Sequence, residues 1–260
     1  MTEVRLKARA LVERWLGADA RPAAEGGERS QPEPVPAAPP LTRSQYKEVW
    51  TSLSTNESEA KLAVQGDDSE ATLALSAVND LERLRRAVGF EPTDDVLEIG
   101  CGVGRLGKVL APICRTWTGC DVSPNMLRFA ERRLEGFRNV RLVELSGYDL
   151  EPIPTASQDV VYCTVVFMHL TEWDRYNYVE EAHRVLKPGG RLYVDNICLT
   201  TDYGWEFFQK SRGFEPSARP PYIGSTSTPQ EFEAYLTRAG FASHRVEIVD
   251  TAWVVGVGVR

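Results

Sequence analysis

Three groups of residues in this 260-residue chain could do chemistry. The first is Val96-Leu97-Glu98-Ile99-Gly100-Cys101-Gly102-Val103-Gly104-Arg105, an apolar run that ends in a glycine-rich turn and opens a helical pattern. Glycines let a backbone approach a ligand closely and take dihedrals that other residues avoid. In open α/β sheets such turns sit at the carboxyl ends of strands, where ligands bind. Asp121, 17 residues beyond Gly104, ends the next apolar run, where one carboxylate can accept from both hydroxyls of a ribose. Gly102, Gly104 and Gly107 also satisfy the dinucleotide spacing G-x-G-x-x-G, which alone is weak evidence. Glu98 counts against a dinucleotide, because an acid inside that strand would repel a pyrophosphate. It suits a ligand with a cationic end, and Arg105 could then meet a carboxylate on the same ligand.

The second group is His169, in Phe167-Met168-His169-Leu170 after a later apolar run. Histidine is the side chain best suited to take a proton near neutral pH, and a rate that depends on it unshifted would rise through about pH 6–7. The third group is Asp195-Asn196, at the end of the following apolar run. His183, inside a helical pattern, and His244, at the start of a strand pattern, read as structural. The five cysteines, Cys101, Cys114, Cys120, Cys163 and Cys198, form no CxxC pair and no zinc-like spacing with histidine. Most lie in apolar segments and read as reduced, buried thiols.

These residues need a scaffold, and the sequence predicts one. Segments 43–53, 57–65 and 69–89 have helical patterns, the last closed by Gly89. After Pro92, short β-rich runs alternate with helical ones: 95–100, 116–122, 139–145, 159–166 and 191–197 as strands, with helices between. Such alternation with apolar strands means a parallel sheet covered on both faces. The last two runs, 244–250 and 252–259, are separated only by a turn and must pair antiparallel. Residues 1–17 read as a separate amphipathic helix, with Val4, Leu11, Trp15 and Leu16 on one side. Residues 18–41 are proline-rich and read as an extended linker that isolates this helix, as an appendage or a docking peptide for a protein partner. The main domain is expected over 42–260, with 42–90 as an N-terminal helical cap.

Bulk properties narrow the partners. The net charge is -7, with no basic run, so a nucleic acid is not expected as substrate. No apolar run reaches the roughly 18–20 residues of a membrane span. With no secretory signal pattern at the N-terminus, the expected location is the cytoplasm.

Five ordered stretches resemble the class I S-adenosylmethionine-dependent methyltransferases, over roughly residues 92–260. LEIGCGVGR resembles that family's first motif, and CDVSPNML its second-strand acid and helix. YDLEPIP resembles the adenine-binding stretch, DVVYCTVVFMHL the fourth strand and the loop facing the methyl group, and LKPGGRLYV the turn into strand five. The resemblance implies a Rossmann-like, seven-stranded, mostly parallel α/β sheet with helices on both faces and a C-terminal antiparallel hairpin. It implies S-adenosyl-L-methionine as cofactor. Gly100, Gly102 and Gly104 would line its methionine moiety. Glu98 would orient that loop or the ammonium, and Arg105 would reach the carboxylate. Asp121 would hold the ribose, Val122 and Met126 the adenine ring, Asp149 the adenine amine, and Leu150 would cover the ring.

On the acceptor side the resemblance puts His169, Asp195 and Asn196 around the methyl group as candidate catalytic residues. Catechol O-methyltransferases show a similar Asp-Asn pair that binds magnesium with a third acid after strand four. Here that stretch is Tyr162-Cys163-Thr164, so no metal is expected. Protein N-terminal methyltransferases also combine His-Leu-Thr with Asp-Asn, as in His169-Leu170-Thr171 here, and use none. The aromatics Tyr203, Trp205, Phe207, Phe208, Phe214 and Tyr222, interspersed with prolines, read either as an acceptor lid or as packing. Tyr46 and Trp50 would close the pocket from the N-terminal side. The expected activity is metal-independent methylation of an oxygen or nitrogen atom of a small molecule, such as a natural product or sugar intermediate. A peptide or protein amine acceptor, or a cofactor-binding scaffold without turnover, are the alternatives.

Overall fold

The computed structural model describes residues 41–260. The helix expected over 1–17 and nearly all of the linker expected over 18–41 lie outside the described residues. Three helices come first: α1 (Tyr46–Ser52), α2 (Glu57–Gln65) and α3 (Glu70–Ala87). Alternation follows, through β1 (Asp95–Ile99), the short α4 (Gly107–Leu110), β2 (Thr116–Asp121), α5 (Pro124–Leu134), β3 (Val140–Glu144) and β4 (Gln158–Cys163). A 3-10 turn at Phe167–His169 leads to α6 (Glu172–Val185), β5 (Leu186–Ile197), α7 (Asp202–Arg212), α8 (Pro229–Ala239), β6 (Ser243–Val249) and β7 (Trp253–Val259).

The sheet runs β3-β2-β1-β4-β5-β7-β6. Neighbours from β3 to β5 pair parallel, and β7 pairs antiparallel with both β5 and β6. Asp250 and Thr251, at φ 54° and 56°, make the β6–β7 turn. Two successive positive φ values match the turn to the right-handed twist of its strands.

Strand residues alternate between two cores. Val96, Trp117, Val160, Tyr162, Tyr193 and Val255 pack with α3 and α4 on one face. Leu97, Ile99, Cys120, Val161, Cys163 and Val194 pack with α6 and α8 on the other. This double burial is why the strands read as continuous apolar runs. Helix starts are set by side-chain caps: Ser123 accepts from the Met126 amide ahead of Pro124, and Thr171 and Thr201 cap α6 and α7 in the same way. Among the described residues no helix is long and apolar enough to cross a membrane.

Candidate functional site

A cavity of 1310 Å³, open mouth included, lies at the carboxyl ends of β1, β2 and β4. Its floor is the glycine loop. Gly100 and Gly102 hold φ at 75° and 51°. A Cβ at Gly100 would stand 2.3 Å from a Val166 methyl, and one at Gly102 would stand 2.7 Å from Val64 of α2. Both positions therefore need glycine twice over, for the left-handed backbone and for the close approach of neighbouring side chains.

Asp121 is buried at the end of β2 and borders the cavity. Its two carboxylate oxygens accept from the Gly102 amide at 2.8 Å and the Ser123 amide at 2.9 Å. One acid thus fixes the glycine loop and the start of α5 together. Burial pushes its carboxyl up to about 6, against the pull of the amides. Glu98 is buried too and accepts from the Tyr162 hydroxyl at 2.6 Å, which in turn accepts from Trp117 Nε1 at 3.0 Å. Desolvation pushes Glu98 up to about 8. Arg105 borders the same space, its Nη2 paired with Asp80 at 2.6 Å. Its Nη1 is buried and has no hydrogen-bond partner in the protein. An orphaned, buried guanidinium donor on a residue that lines the cavity is unusual and fits a ligand carboxylate. Val122 and Met126 line the cavity beside Asp121.

His169 forms part of the opposite wall and is buried. Its Nδ1 lies 2.9 Å from the Tyr222 carbonyl oxygen. A carbonyl can only accept, so Nδ1 carries the proton and Nε2 is the acceptor nitrogen. Desolvation holds the ring's pKa down at about 3, so it is neutral at physiological pH. Trp50 meets it edge-on, centroids 4.8 Å apart. Two arginines hold this wall. Arg43 donates to the carbonyls of Met168, Leu170 and Ile223, at 2.8, 3.3 and 2.5 Å, and to Ser225. Arg175 donates to the carbonyls of Phe167 and Leu170 and pairs with Glu231 at 2.8 Å.

Five of the expected site residues stand elsewhere. Gly104 does not reach the cavity: its φ of 75° turns the chain against α5, where a Cβ would stand 3.0 Å from Leu134. Asp149 lies outside the lining residues, its carboxylate accepting from the Glu151 amide in a turn. Leu150 is fully buried in the core under α6. Leu145 and Gly147 border the cavity in their place. The chain after β3 reaches the cavity earlier than the spacing to Ile153-Pro154 implied.

Asp195 and Asn196 are also away from the cavity, and both are wholly buried. Asp195 accepts from the Val165 amide at 2.8 Å and the Tyr193 hydroxyl at 3.1 Å, and faces Arg83 at 3.4 Å. Asn196 donates to Ser227 at 2.8 Å. Their partners are structural, so the comparison with protein N-terminal methyltransferases loses its second half. Asp195 instead anchors Val165, a cavity residue at φ 62°. Asp195→Ala should therefore unfold more easily, by roughly 2–3 kcal/mol, because a buried arginine loses a partner and a strained backbone its anchor. Chemical denaturation checks this.

Several lining residues were not read from the sequence, among them Ala63 and Val64 on α2 and Trp253 on β7. Small apolar residues on a cap helix carry no chemical signal. Trp253 is far from the motifs in sequence, and only the β5–β7 pairing brings it to Ile197. The aromatic segment divides. Phe207, Phe214 and Tyr222 line the cavity, whereas Trp205 and Phe208 stack on each other at 5.4 Å and face outward.

Comparison with known proteins follows this geometry. Residues 97–194 match a family model described as a methyltransferase domain. The chain is 30% identical over 159 residues to a thiol S-methyltransferase of Homo sapiens, covering 58% of this chain and 62% of the relative. It is 28% identical over 197 residues to the 27-O-demethylrifamycin SV methyltransferase of Amycolatopsis mediterranei, covering 70% and 66%. In both cases the match spans less than two thirds of the relative's length. A solved DhpI–SAH complex shares the fold, with TM-score 0.58 and 20% identity over 83% of this chain and 96% of that one. The chain thus carries a methyltransferase-domain match over residues 97–194, within a seven-stranded sheet of the fold that the solved methyltransferases share.

Proposed function

We propose that this chain transfers the methyl group of S-adenosylmethionine to an oxygen or nitrogen atom of a small molecule. The observation that carries this reading is one continuous cavity, joining Glu98, Arg105 and Asp121 at the glycine loop to His169 and an aromatic wall. The relatives named above act, by their names, on a thiol and on a demethylrifamycin, which are small molecules. When bound, the cofactor supplies a sulfonium methyl that is already reactive, which leaves alignment and exclusion of water to the protein.

The residues divide that work. Asp121 accepts from the ribose hydroxyls while keeping the loop in place. Val122, Met126 and Leu145 cover the adenine. Arg105 gives its orphaned Nη1 to the carboxylate, and Glu98 stands where an ammonium would favour its ionised form. His169, with Nδ1–H tied to Tyr222, presents Nε2 as a hydrogen-bond acceptor to the acceptor molecule's X–H. Incubating the full chain with methyl-labelled S-adenosylmethionine and a cell extract should label a small-molecule product, identified by mass spectrometry. Label confined to peptides or proteins would move the reading to an amine in a macromolecule. Calorimetry showing NAD bound in preference to S-adenosylmethionine would overturn it.

Transfer is also expected to continue in EDTA. Asp195 is held by Val165, Tyr193 and Arg83, and the stretch after β4 supplies no carboxylate. Activity abolished by the chelator and restored by magnesium would refute this.

A further inference from the structure

The cavity divides by chemistry. Its two acids and its arginine, Glu98, Asp121 and Arg105, all stand at the glycine loop and the ends of β1 and β2. Beyond Val165 and Val166 the wall is built from Met168, Phe207, Phe214, Tyr222, Ile223 and Trp253. The imidazole there, His169, is buried and neutral.

The ionic groups packed behind this wall, Arg43, Arg83, Asp174 and Arg175, are committed to protein partners and do not line the cavity. Arg43 is committed to three carbonyls and Ser225. Arg175 is committed to Glu231, Ser227 and two carbonyls. Arg83 pairs with Asp80 at 2.8 Å and with Asp195, its guanidinium 5.6 Å from the Trp253 ring centre. Asp174 accepts from Tyr46 and Thr171, both at 2.6 Å. A charged acceptor seated here would lose water and meet no ionised side chain in the lining, an unfavourable exchange. A flat, apolar one would gain by burial against aromatic rings.

Resting on the function proposed above, we infer that the acceptor is a neutral, ring-bearing apolar molecule that offers an uncharged nucleophile, and that carboxylated, phosphorylated or ammonium-bearing molecules are rejected. The balance is simple. The acceptor's lone pair forms the new X–CH3 bond, the broken S–C pair stays on sulfur, and the X–H proton passes to His169 Nε2. Sugar phosphates and peptide ammonium groups fall outside this class.

Calorimetry on the full chain, with and without S-adenosylhomocysteine, tests the ranking using 2-naphthol, 2-naphthoate and 2-naphthyl phosphate. The naphthol should bind about 100-fold more tightly than either anion. Phe214→Lys, at a half-buried loop position on the rim, should bring the naphthoate to within about tenfold of the naphthol by supplying a counter-charge. Anions that bind the unaltered chain as tightly as the naphthol would overturn the inference, as would no naphthol binding in either state. Failure of S-adenosylhomocysteine to bind would strike the proposed function instead. The naphthol ranking would still be readable on the protein alone.

Discussion

Replacing Asp121 with alanine is expected to weaken S-adenosylmethionine binding by at least about tenfold, and by up to a few thousandfold, in a protein that remains folded. A hydrogen bond to an ionised group is worth roughly 1.5–3 kcal/mol, so losing one at the low end sets the lower bound of about tenfold, and losing two, about 3–6 kcal/mol together, spans the upper one. The geometry adds a second source of loss. Asp121 Oδ2 also holds the Gly102 amide, so alanine frees the glycine loop as well as removing the ribose acceptor. Asp121→Asn separates the two. Its amide oxygen can keep one backbone amide, but its NH2 cannot accept, so it should fall between wild type and alanine. A pH series adds an independent readout. Burial raises this carboxyl to about 6, so protonation below that value removes acceptor capacity and affinity should fall there. That limb should disappear in Asp121→Asn. Calorimetry across the pH range measures both effects, and an Asp121→Ala protein with unchanged affinity would remove the acid from the cofactor site.

Asp121 was legible because its position follows from period and spacing alone: an apolar run, a glycine turn, a second apolar run and a terminal acid. The same logic gave the parallel half of the sheet and the terminal antiparallel hairpin. It failed where the chain leaves regular structure. Between β3 and β4, a motif spacing placed Asp149 against the ligand, but the turn at Gly147, with φ 106°, brings the chain to the cavity two residues earlier. It failed again at Asp195-Asn196. A polar pair at a strand's carboxyl end looks like a site, yet the alternative, anchoring a strained loop from behind, leaves the same trace in sequence. The helix α7 went unread because Tyr203, Trp205, Phe207 and Phe208 spread aromatics around its axis, which hides the period of 3.6. Arg43 was unreadable in principle. Its partners lie 125 to 182 residues away, and a lone arginine after a proline-rich stretch has no pattern.

That arginine bears on what the cap does. Arg43 bridges the chain ahead of α1 to both the His169 turn and the 220–225 segment, while Tyr46 of α1 accepts from the Thr171 amide at 3.0 Å and Trp50 packs on His169. Three positions within eight residues thus set where the histidine stands. The His169 wall of the cavity is not a feature of the sheet alone; it is completed by the segment that precedes the sheet in sequence.

The histidine held in this way supplies the largest expected kinetic effect. His169→Ala should lower kcat by about 100-fold, at the low end of what a general base contributes, with a much smaller change in cofactor affinity. The low end is chosen because desolvation puts the ring's pKa at about 3, which makes it a weak base in the resting protein. Methyl transfer eases that weakness in part: the sulfonium charge vanishes in the step that would place a charge on the imidazole, so the cavity's net charge does not change. The depressed pKa also changes the expected pH behaviour. An unshifted histidine would give a rate rising through about pH 6–7; a ring already neutral there should give, at saturating cofactor, no histidine inflection between about pH 5 and 8. Stability should carry the signature instead. With the folded pKa below the unfolded value of 6.5, the unfolded chain binds more protons between about 6.5 and 3, so His169 costs stability as pH falls through that window. Asp121, raised to about 6, acts in the opposite sense between 3.8 and that value, so the histidine contribution must be read as the difference between wild type and His169→Ala. Wild-type turnover in His169→Ala at every pH would leave alignment alone to account for the rate. A kcat loss matched by an equal loss of cofactor affinity would make the ring a wall of the nucleotide site and nothing more.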